Sequence, residues 1–297
     1  MSESLVPLGR NREPSDGCRR YLPIVVTFDT RNLILDLDIQ DDWEEQVKAS
    51  WEANKAQVRE ELQAEFGTVD AEAKLDNYRA MGPAPWSIVF EHSLLLRQVR
   101  NAFAHGDFYP ALVGASALGE RLLHQLVHVL RGDYINHPAT TRAVKSGKLK
   151  NEWGSLIDVL YGWGVLDDET ADAYRDLEER RHAAVHFDPR PEAVGRDAAL
   201  AALLDLQQIV ERVFAPHGGP PRYIGGISGN SYLSLEAEHE PIVRRIFIPN
   251  CALVSPVHRM EPDESFPGGW RVYDDDDYDC AELSDWEFAA RIEARGQ

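Results

Sequence analysis

The sequence predicts a mainly α-helical protein, in which a helical bundle carries a smaller β-rich module built from the N- and C-terminal segments. Three observations support this fold class. Residues 86–214 contain several long segments with apolar residues at helical spacing. Segments rich in β-branched residues are concentrated near the two ends, and clusters of Gly and Pro separate the parts. We therefore expect a β-hairpin and long helices in 1–82, the bundle in 83–216, and the β-rich module in 217–297.

The first region begins with the segment Tyr21 to Ile39, which is rich in β-branched residues and is interrupted at residues 29–32. This pattern predicts two strands joined by a turn. Two strands are too few for a stable sheet, so we expect the hairpin to pair with C-terminal strands. Two helices are predicted next, at Asp41 to Phe66 and at Asp70 to Met81, because apolar residues follow helical spacing and a glycine ends each segment.

The bundle region is predicted to contain helices joined by mostly short loops. The predicted helices span about Trp86 to His105, Phe108 to Leu130, Glu152 to Trp163, Asp168 to Phe187 and Glu192 to Phe214. The second of these is apolar over a wide face, so we expect it to lie at the centre. Asp167 or Asp168 is the expected N-cap of the fourth helix, and Pro189 follows its end.

The last region follows a linker rich in Gly and Pro, residues 215–221. Three segments, 231–238, 242–256 and 269–275, are predicted as strands because they are rich in β-branched and aromatic residues. A short helix from about Ser284 to Arg295 is expected to follow them.

The charge of the chain limits its interactions with nucleic acid. The formal net charge is −19, and nonspecific binding requires Lys and Arg to displace counterions from phosphates. This balance excludes a protein that coats DNA. The stretch Arg131 to Lys150, called the basic segment here, differs because it has five cationic residues against Asp133 and a net charge of +4. We expect a polyanion to contact its exposed cations, Arg142, Lys145, Lys148 and Lys150.

The sequence lacks signals for membranes and for structural metals. No apolar run approaches the roughly 18 residues that a membrane span requires, and the N-terminal segment has no apolar stretch of signal-peptide type. The three cysteines lie far apart without CxxC spacing, which favours neither a disulfide framework nor a zinc site. We therefore expect a cytoplasmic protein that is not associated with a membrane.

Two Arg-x4-His pairs stand at the predicted ends of bundle helices. In the first, Arg181 is followed by His182 and His186, so a permanent cation stands near the side-chain type that most often transfers protons at neutral pH. Five residues along a helix turn through about 500°, or about 140° net. Arg181 and His186 therefore diverge unless the helix end is frayed or bent.

The second pair, Arg100 and His105, has Asn101 after the arginine and is followed by a glycine. Either an internal duplication or chance would explain the repeated spacing. Both pairs also have a purely structural interpretation. In that interpretation Arg181 pairs with Glu178 three residues earlier, and the histidines cap carbonyl groups at the helix ends.

The surroundings of the first pair resemble the HEPN superfamily. The similar residues are the block Gly106 to Leu123, which contains Glu120, and the motif RHAAVH at 181–186, over about 110 to 130 residues in all. The family signature is Arg, a polar residue, three variable residues and His near the end of a late bundle helix. His182 stands where Asn is commoner in the family, whereas the second pair fits that preference in a less expected helix. Both pairs stay open as the active pair.

This resemblance implies a metal-independent endoribonuclease that needs no cofactor and acts as a homodimer, in bacterial defence or in a toxin–antitoxin system. An RNA 2′-hydroxyl, for example in tRNA, would attack the adjacent phosphate, and an inhibitory protein partner would restrain the activity. The resemblance makes His186 the general base or acid and Arg181 the phosphate clamp. It also implies that His182 is a polar residue that helps to hold the RNA and that Glu120 orients a histidine.

Two alternatives stand beside this hypothesis. A non-catalytic module would dimerise through the bundle and dock onto another protein through the acidic β-rich part, consistent with the net charge of −19. A helical metal site would use Glu120, His124 and His128, which recur every four residues. Gln125 stands where the metalloprotease pattern needs Glu, so we expect a polar seam at a cleft or dimer interface instead. The sequence contains neither a GxxxxGK[ST] phosphate loop nor a GxSxG elbow.

Overall fold

The computed structural model describes residues 3–24, 29–145, 148–150, 152–186, 194–215, 220–263, 265–266 and 269–295. Within these residues the protein is mainly helical, and small antiparallel sheets join N-terminal to C-terminal strands. The predicted fold class, a mainly α protein with a smaller β-rich module from both ends, is therefore confirmed. No helix in these ranges has the length and apolar character that crossing a bilayer would need.

The segment before the bundle forms α1 (Arg31–Asp36), α2 (Glu45–Phe66) and α3 (Ala71–Ala80). Helix α2 buries Val58, Leu62 and Phe66, which recur every four residues and so form one apolar stripe. The ring of Phe66 lies 5.9 Å from that of Tyr78 on α3, measured between centroids. This stripe joins α2 and α3 to the same core as the bundle.

The bundle and its connections follow in chain order. They contain α4 (Phe90–His105), α5 (Phe108–Leu130), α6 (Pro138–Ala143), α7 (Trp153–Gly162), α8 (Asp168–Val185) and α9 (Arg196–Phe214). Helix α5 contacts α4, α7, α8 and α9, so it is the centre of the bundle, as its wide apolar face predicts. Asp167 is the N-cap of α8, and its carboxylate accepts a hydrogen bond from the backbone N–H of Thr170 at 2.9 Å.

Helices α5 and α8 approach closely at Gly119. A Cβ atom added to Gly119 would clash with Cδ2 of Leu177, so the absence of a side chain allows this packing. The residue after Gly119 is Glu120, and Arg181 lies about one turn beyond Leu177 on α8. The close approach therefore brings these two charged side chains face to face.

The strands lie mainly at the two ends of the chain. They are β1 (Glu3–Leu5), β2 (Arg20–Pro23), β3 (Val144–Lys145), β4 (Lys148–Leu149), β5 (Cys251–Val254), β6 (Arg259–Pro262) and β7 (Trp270–Asp275). Strands β1, β7 and β6 form one antiparallel sheet in that order, and β2 pairs antiparallel with β5. Helix α10 (Asp285–Arg295) buries Phe288 against this module. The expected pairing of N-terminal with C-terminal strands is confirmed.

The predicted hairpin over Tyr21 to Ile39 is wrong in its second half, because residues 31–36 form α1. The Asp29 carboxylate accepts a hydrogen bond from the Arg31 backbone N–H at 3.1 Å, which supports a helical start. The Asn32 side chain is buried and donates to the Tyr78 carbonyl at 2.8 Å. These contacts outweigh the β-branched composition that predicted a strand here. Residues 25–28 of the expected hairpin lie outside the described ranges.

Two of the three predicted C-terminal strands are also largely wrong. Residues 237–239 form a 3-10 turn, and Val243–Phe247 form a π-helical turn that continues into a 3-10 turn at Ile248–Asn250. The apolar residues here, Ile242, Val243, Ile246 and Phe247, are all buried. Their spacing of one, three and one residues fits a helical turn better than a strand with alternating faces. Strand β5 begins only after this turn.

Candidate active site

Arg181 is held by two neighbours at the C-terminal end of α8. One guanidinium nitrogen, Nη2, lies 3.2 Å from Oε2 of Glu120 on α5, and the side chains of both residues are 34% exposed. The guanidinium carbon lies 5.8 Å from the centroid of the Trp153 ring. Trp153 is the first residue of α7. Three helices therefore fix this cation while leaving part of it open to solvent.

The ion pair differs from the structural interpretation of the sequence. That interpretation paired Arg181 with Glu178 on its own helix, whereas the ion pair described for Arg181 crosses to Glu120 on α5. Half-exposed ion pairs and cation–π contacts each contribute about 0.5–1 kcal/mol, so this arrangement orients the guanidinium more than it stabilises the fold. The guanidinium has five N–H groups, and those not engaged by Glu120 can donate to a ligand.

His182 and His186 form a second cluster beside Arg181. Their ring centroids are 4.5 Å apart, the rings are tilted by 49°, and both residues are exposed. The helix ends at Val185, and His186 has extended backbone angles of φ −98° and ψ 147°. Its backbone N–H donates to the His182 carbonyl at 3.0 Å. Residues 187–193, which include the expected last residue of this helix, lie outside the described ranges.

The two clusters lie on different faces of the last turns of α8. Arg181 is about 40° around the helix from the buried Leu177, and His186 stands just beyond the last helical residue. Val185 lies between them in the chain, and it is 54% exposed. The described contacts thus bring Arg181 to Glu120 and Trp153 and bring His182 to His186. No described contact joins Arg181 to His186 within one chain.

The basic segment leads directly into this region. Lys150 precedes Trp153 by three residues, so their Cα atoms are at most about 11 Å apart. Strands β3 and β4 form a hairpin within the segment, and the Lys150 backbone N–H donates to the Ala143 carbonyl at 3.2 Å. Arg142 and Lys150 are exposed. The side chains of Lys145 and Lys148 lie outside the described part of the chain.

Two cations from the C-terminal module join the basic segment. The Asp133 carboxylate lies 3.2 Å from Nη2 of Arg244 and 2.9 Å from Nε of Arg245. Asp133 is the one acidic residue of the segment, so these contacts neutralise it and bring in two more exposed arginines. Sequence reasoning missed them because more than 100 residues separate the partners.

The second Arg-x4-His pair has a different environment. Arg100 is 5% exposed, its Nη2 donates to the Gly82 carbonyl at 2.8 Å, and its Nη1 donates to the side-chain oxygen of Gln207. Burial lowers the pKa of Arg100. His105 is exposed, and its ring meets the Phe66 ring edge-on at 5.6 Å between centroids. Asn101 and Arg100 both line a cavity between α4 and the preceding helices.

The polar seam on α5 lacks the arrangement of a metal site. Glu120 is engaged by Arg181, His124 is half-buried, and His128 is exposed. Across the described ranges, no group of three or more His, Cys, Asp or Glu side chains is positioned to hold a metal ion. The seam therefore contributes one carboxylate to the Arg181 cluster.

Asp205 is a further acid near the cluster that sequence reasoning did not single out. Its Oδ2 atom lies 3.3 Å from Nε of Arg180, the residue before Arg181. Burial raises the pKa of Asp205 to about 6, Arg180 opposes this shift, and Asp176 adds to it.

Comparison with known proteins found no matching family model, no matching curated protein and no matching solved structure.

Proposed function

We propose that the protein is a metal-independent endoribonuclease of HEPN type, with its active site at the C-terminal end of α8. The observation that carries the proposal is the Arg181 cation, oriented by Glu120 and Trp153, next to two exposed imidazoles 4.5 Å apart. A cation and proton-transferring groups are the components that phosphodiester cleavage without a metal requires.

The reaction would be an internal transfer at the RNA backbone. The 2′-oxygen loses its proton to an imidazole and bonds to the adjacent phosphorus, while the bond from phosphorus to the 5′-oxygen breaks. A second proton transfer neutralises the leaving 5′-oxygen, so the products are a 2′,3′-cyclic phosphate and a 5′-hydroxyl. We assign the proton transfers to His186, with His182 supporting it at the RNA. Arg181 would bind the phosphate oxygens, where negative charge accumulates in the transition state.

A second copy of the chain would complete this site. Within one chain Arg181 contacts Glu120 and Trp153 whereas His186 contacts His182, so we infer that the two do not meet at one phosphate there. Two copies related by a two-fold axis at the ends of α8 would pair Arg181 of one with His186 of the other. The exposed Val185 between them supplies apolar surface for such a contact.

RNA would approach along the basic segment. The chain as a whole is acidic, with a net charge of −19, so attraction must come from a local patch. Arg142, Lys145, Lys148 and Lys150 belong to this path, and Arg244 and Arg245 extend it. Transfer RNA is one substrate to test. We place the activity in the cytoplasm, in bacterial defence or a toxin–antitoxin system, where an inhibitory protein partner would restrain it.

A non-catalytic interaction module is the second candidate function. It is favoured by the contacts of Arg181 with Glu120 and Trp153, which also make sense as packing between three helices. In this case the bundle would dimerise and the acidic module would bind another protein. The two functions differ in whether substituting His186 changes the rate of RNA cleavage.

The test is cleavage of RNA pools, including tRNA, by the purified protein in EDTA. We expect products with 2′,3′-cyclic phosphate ends, and a 10²- to 10⁴-fold lower rate for His186→Ala, the range typical of general acid–base groups. His105→Ala is the matched control, because it removes an exposed histidine from the end of the other Arg-x4-His helix. Equal rates for the wild type and His186→Ala would contradict the proposal and favour the interaction module.

A further inference from the structure

A cavity of about 710 Å³ lies between α4 on one side and α1, α2 and α3 on the other. This volume falls in the range of about 300–1,000 Å³ that is typical of small-molecule sites. Part of its wall is apolar and is formed by Phe66, Met81 and Leu96, all of which are buried. The cavity is separate from the Arg181 cluster, so a ligand site here is independent of the proposed ribonuclease activity.

One stripe of α4 presents hydrogen-bond donors to the cavity. Ser93, Arg97 and Arg100 follow each other by four and three residues, so they share one helical face, and all three line the cavity. The Ser93 hydroxyl oxygen is buried and has no hydrogen-bond partner among the described residues. Arg97 is exposed and likewise has no ion-pair partner among them.

No carboxylate among the described residues bonds directly to Arg100, and the charge of Asp29 acts on it only from a distance. The hydrogen bonds of Arg100 go to a backbone carbonyl and to the amide oxygen of Gln207, both of which are uncharged. The two acids at the cavity, Asp29 and Glu65, are both engaged by Arg31, at 2.8 Å each. Buried charges in proteins are normally paired, because an unpaired charge is costly to remove from water. An anion in the cavity would supply the missing partner.

Tyr78 places a buried phenol opposite this stripe. The residue is 2% exposed and lines the cavity. Burial raises the pKa of Tyr78, and the Asp29 carboxylate beside its hydroxyl group raises it further. The phenol therefore keeps its proton, and a ligand oxygen that accepted a hydrogen bond from it would compete with Asp29.

We propose that this cavity binds a small amphipathic organic acid. Its acid group would accept hydrogen bonds from the Ser93, Arg97 and Arg100 stripe and from Tyr78, and its apolar body would pack against the Phe66 wall. The three arginines at the cavity outnumber the two acids, so the site carries net positive charge and favours an anion over a neutral molecule.

The test uses the fluorescent sulfonate 8-anilinonaphthalene-1-sulfonate with the full chain, followed by displacement with decanoate or with decanol. We expect saturable binding at one site, and displacement by decanoate at much lower concentration than by decanol. Tyr78→Phe and Arg97→Ala should each weaken binding about tenfold or more, the effect expected for a lost hydrogen bond to a charged group. Arg59→Ala, an exposed arginine on α2 outside the cavity, should change it less than twofold.

Thermal melting checks that the variants are folded. Tyr78→Phe should melt close to the wild-type temperature, because Asp29 beside the lost hydroxyl keeps its ion pair with Arg31. Arg97→Ala removes an exposed side chain and gives a second readout if Tyr78→Phe does not fold. Absence of saturable binding, equal displacement by decanol and decanoate, or wild-type affinity in Arg97→Ala would each overturn the proposal.

Discussion

The two Arg-x4-His pairs have the same spacing but opposite surroundings. Arg100 is buried and bonded only to uncharged groups, whereas Arg181 is one-third exposed and bonded to a carboxylate. Within α4 five residues turn through about 140° net, so His105 is directed away from Arg100, whereas His186 stands just beyond the end of α8. The shared spacing therefore does not give the two pairs the same geometry. The neighbouring helices decide what each arginine does.

Substituting Arg181 should mainly lower RNA cleavage, whereas substituting Arg100 should mainly lower the stability of the fold. This contrast is the largest effect that we expect. Arg181→Ala should lower RNA cleavage by 10²- to 10³-fold, the usual cost of one transition-state donor, and the free energy of unfolding by only about 1 kcal/mol. Arg100→Leu should lower that free energy by about 2 kcal/mol, because it leaves the buried Gln207 side-chain oxygen and the part-buried Gly82 carbonyl unpaired. Cleavage per folded Arg100→Leu molecule should stay within threefold of wild type. Urea denaturation and cleavage rates measure both quantities, and the reverse pattern would exchange the roles of the pairs.

Arg244 and Arg245 test whether RNA approaches on the side of Arg181. The double variant Arg244→Ala/Arg245→Ala should reduce the slope of log K against log salt for single-stranded RNA by about 1.4, because each lost phosphate contact contributes about 0.7. Filter binding at several salt concentrations measures the slope. The control is Arg59→Ala on the side of the other pair, which should leave the slope unchanged. An unchanged slope in the double variant would remove these arginines from the RNA path.

Glu120 should have a smaller effect, because it only orients Arg181. Glu120→Gln keeps the shape of the side chain but removes its charge, and half-exposed ion pairs are worth about 0.2–1 kcal/mol. We therefore expect a cleavage rate two- to fivefold lower. Glu178→Gln is the matched control on the same helix as Arg181 and should leave the rate unchanged. An effect of Glu178→Gln as large as that of Glu120→Gln would mean that the α5 contact is not what positions the arginine.

Elements whose structure depends on their own sequence could be predicted, whereas features that depend on contacts with distant residues could not. The bounds of α5 and its central position follow from its own apolar pattern and the glycine before it. The helical form of 31–36 depends on contacts of Asp29 and Asn32 with the backbone and with α3, which the β-branched composition of the segment does not reveal. Likewise the side chains of Arg181 and His186 could be placed at a helix end, but the contact with Trp153 depends on how α7 packs.

A further expected effect concerns pH, through Asp205 beside Arg180. Burial raises its pKa to about 6, so between pH 4 and 6 the unfolded chain loses this proton before the folded chain does. The folded state therefore loses stability as pH rises through this window. Asp205→Asn removes that loss, and its stability relative to wild type should increase from pH 4 to pH 7. Thermal melts at the two pH values measure this difference, and a constant difference would contradict the assigned shift.

Mixing two inactive variants tests the central claim most directly, namely that Arg181 and His186 from different copies form one active site. Arg181→Ala and His186→Ala would each be inactive alone, yet a mixed dimer would contain one intact pair. Random exchange makes about half of the dimers mixed, with one working site in each. We predict that mixing after subunit exchange restores about a quarter of the wild-type cleavage rate. No recovery, with both variants folded and exchanging subunits, would contradict the shared site.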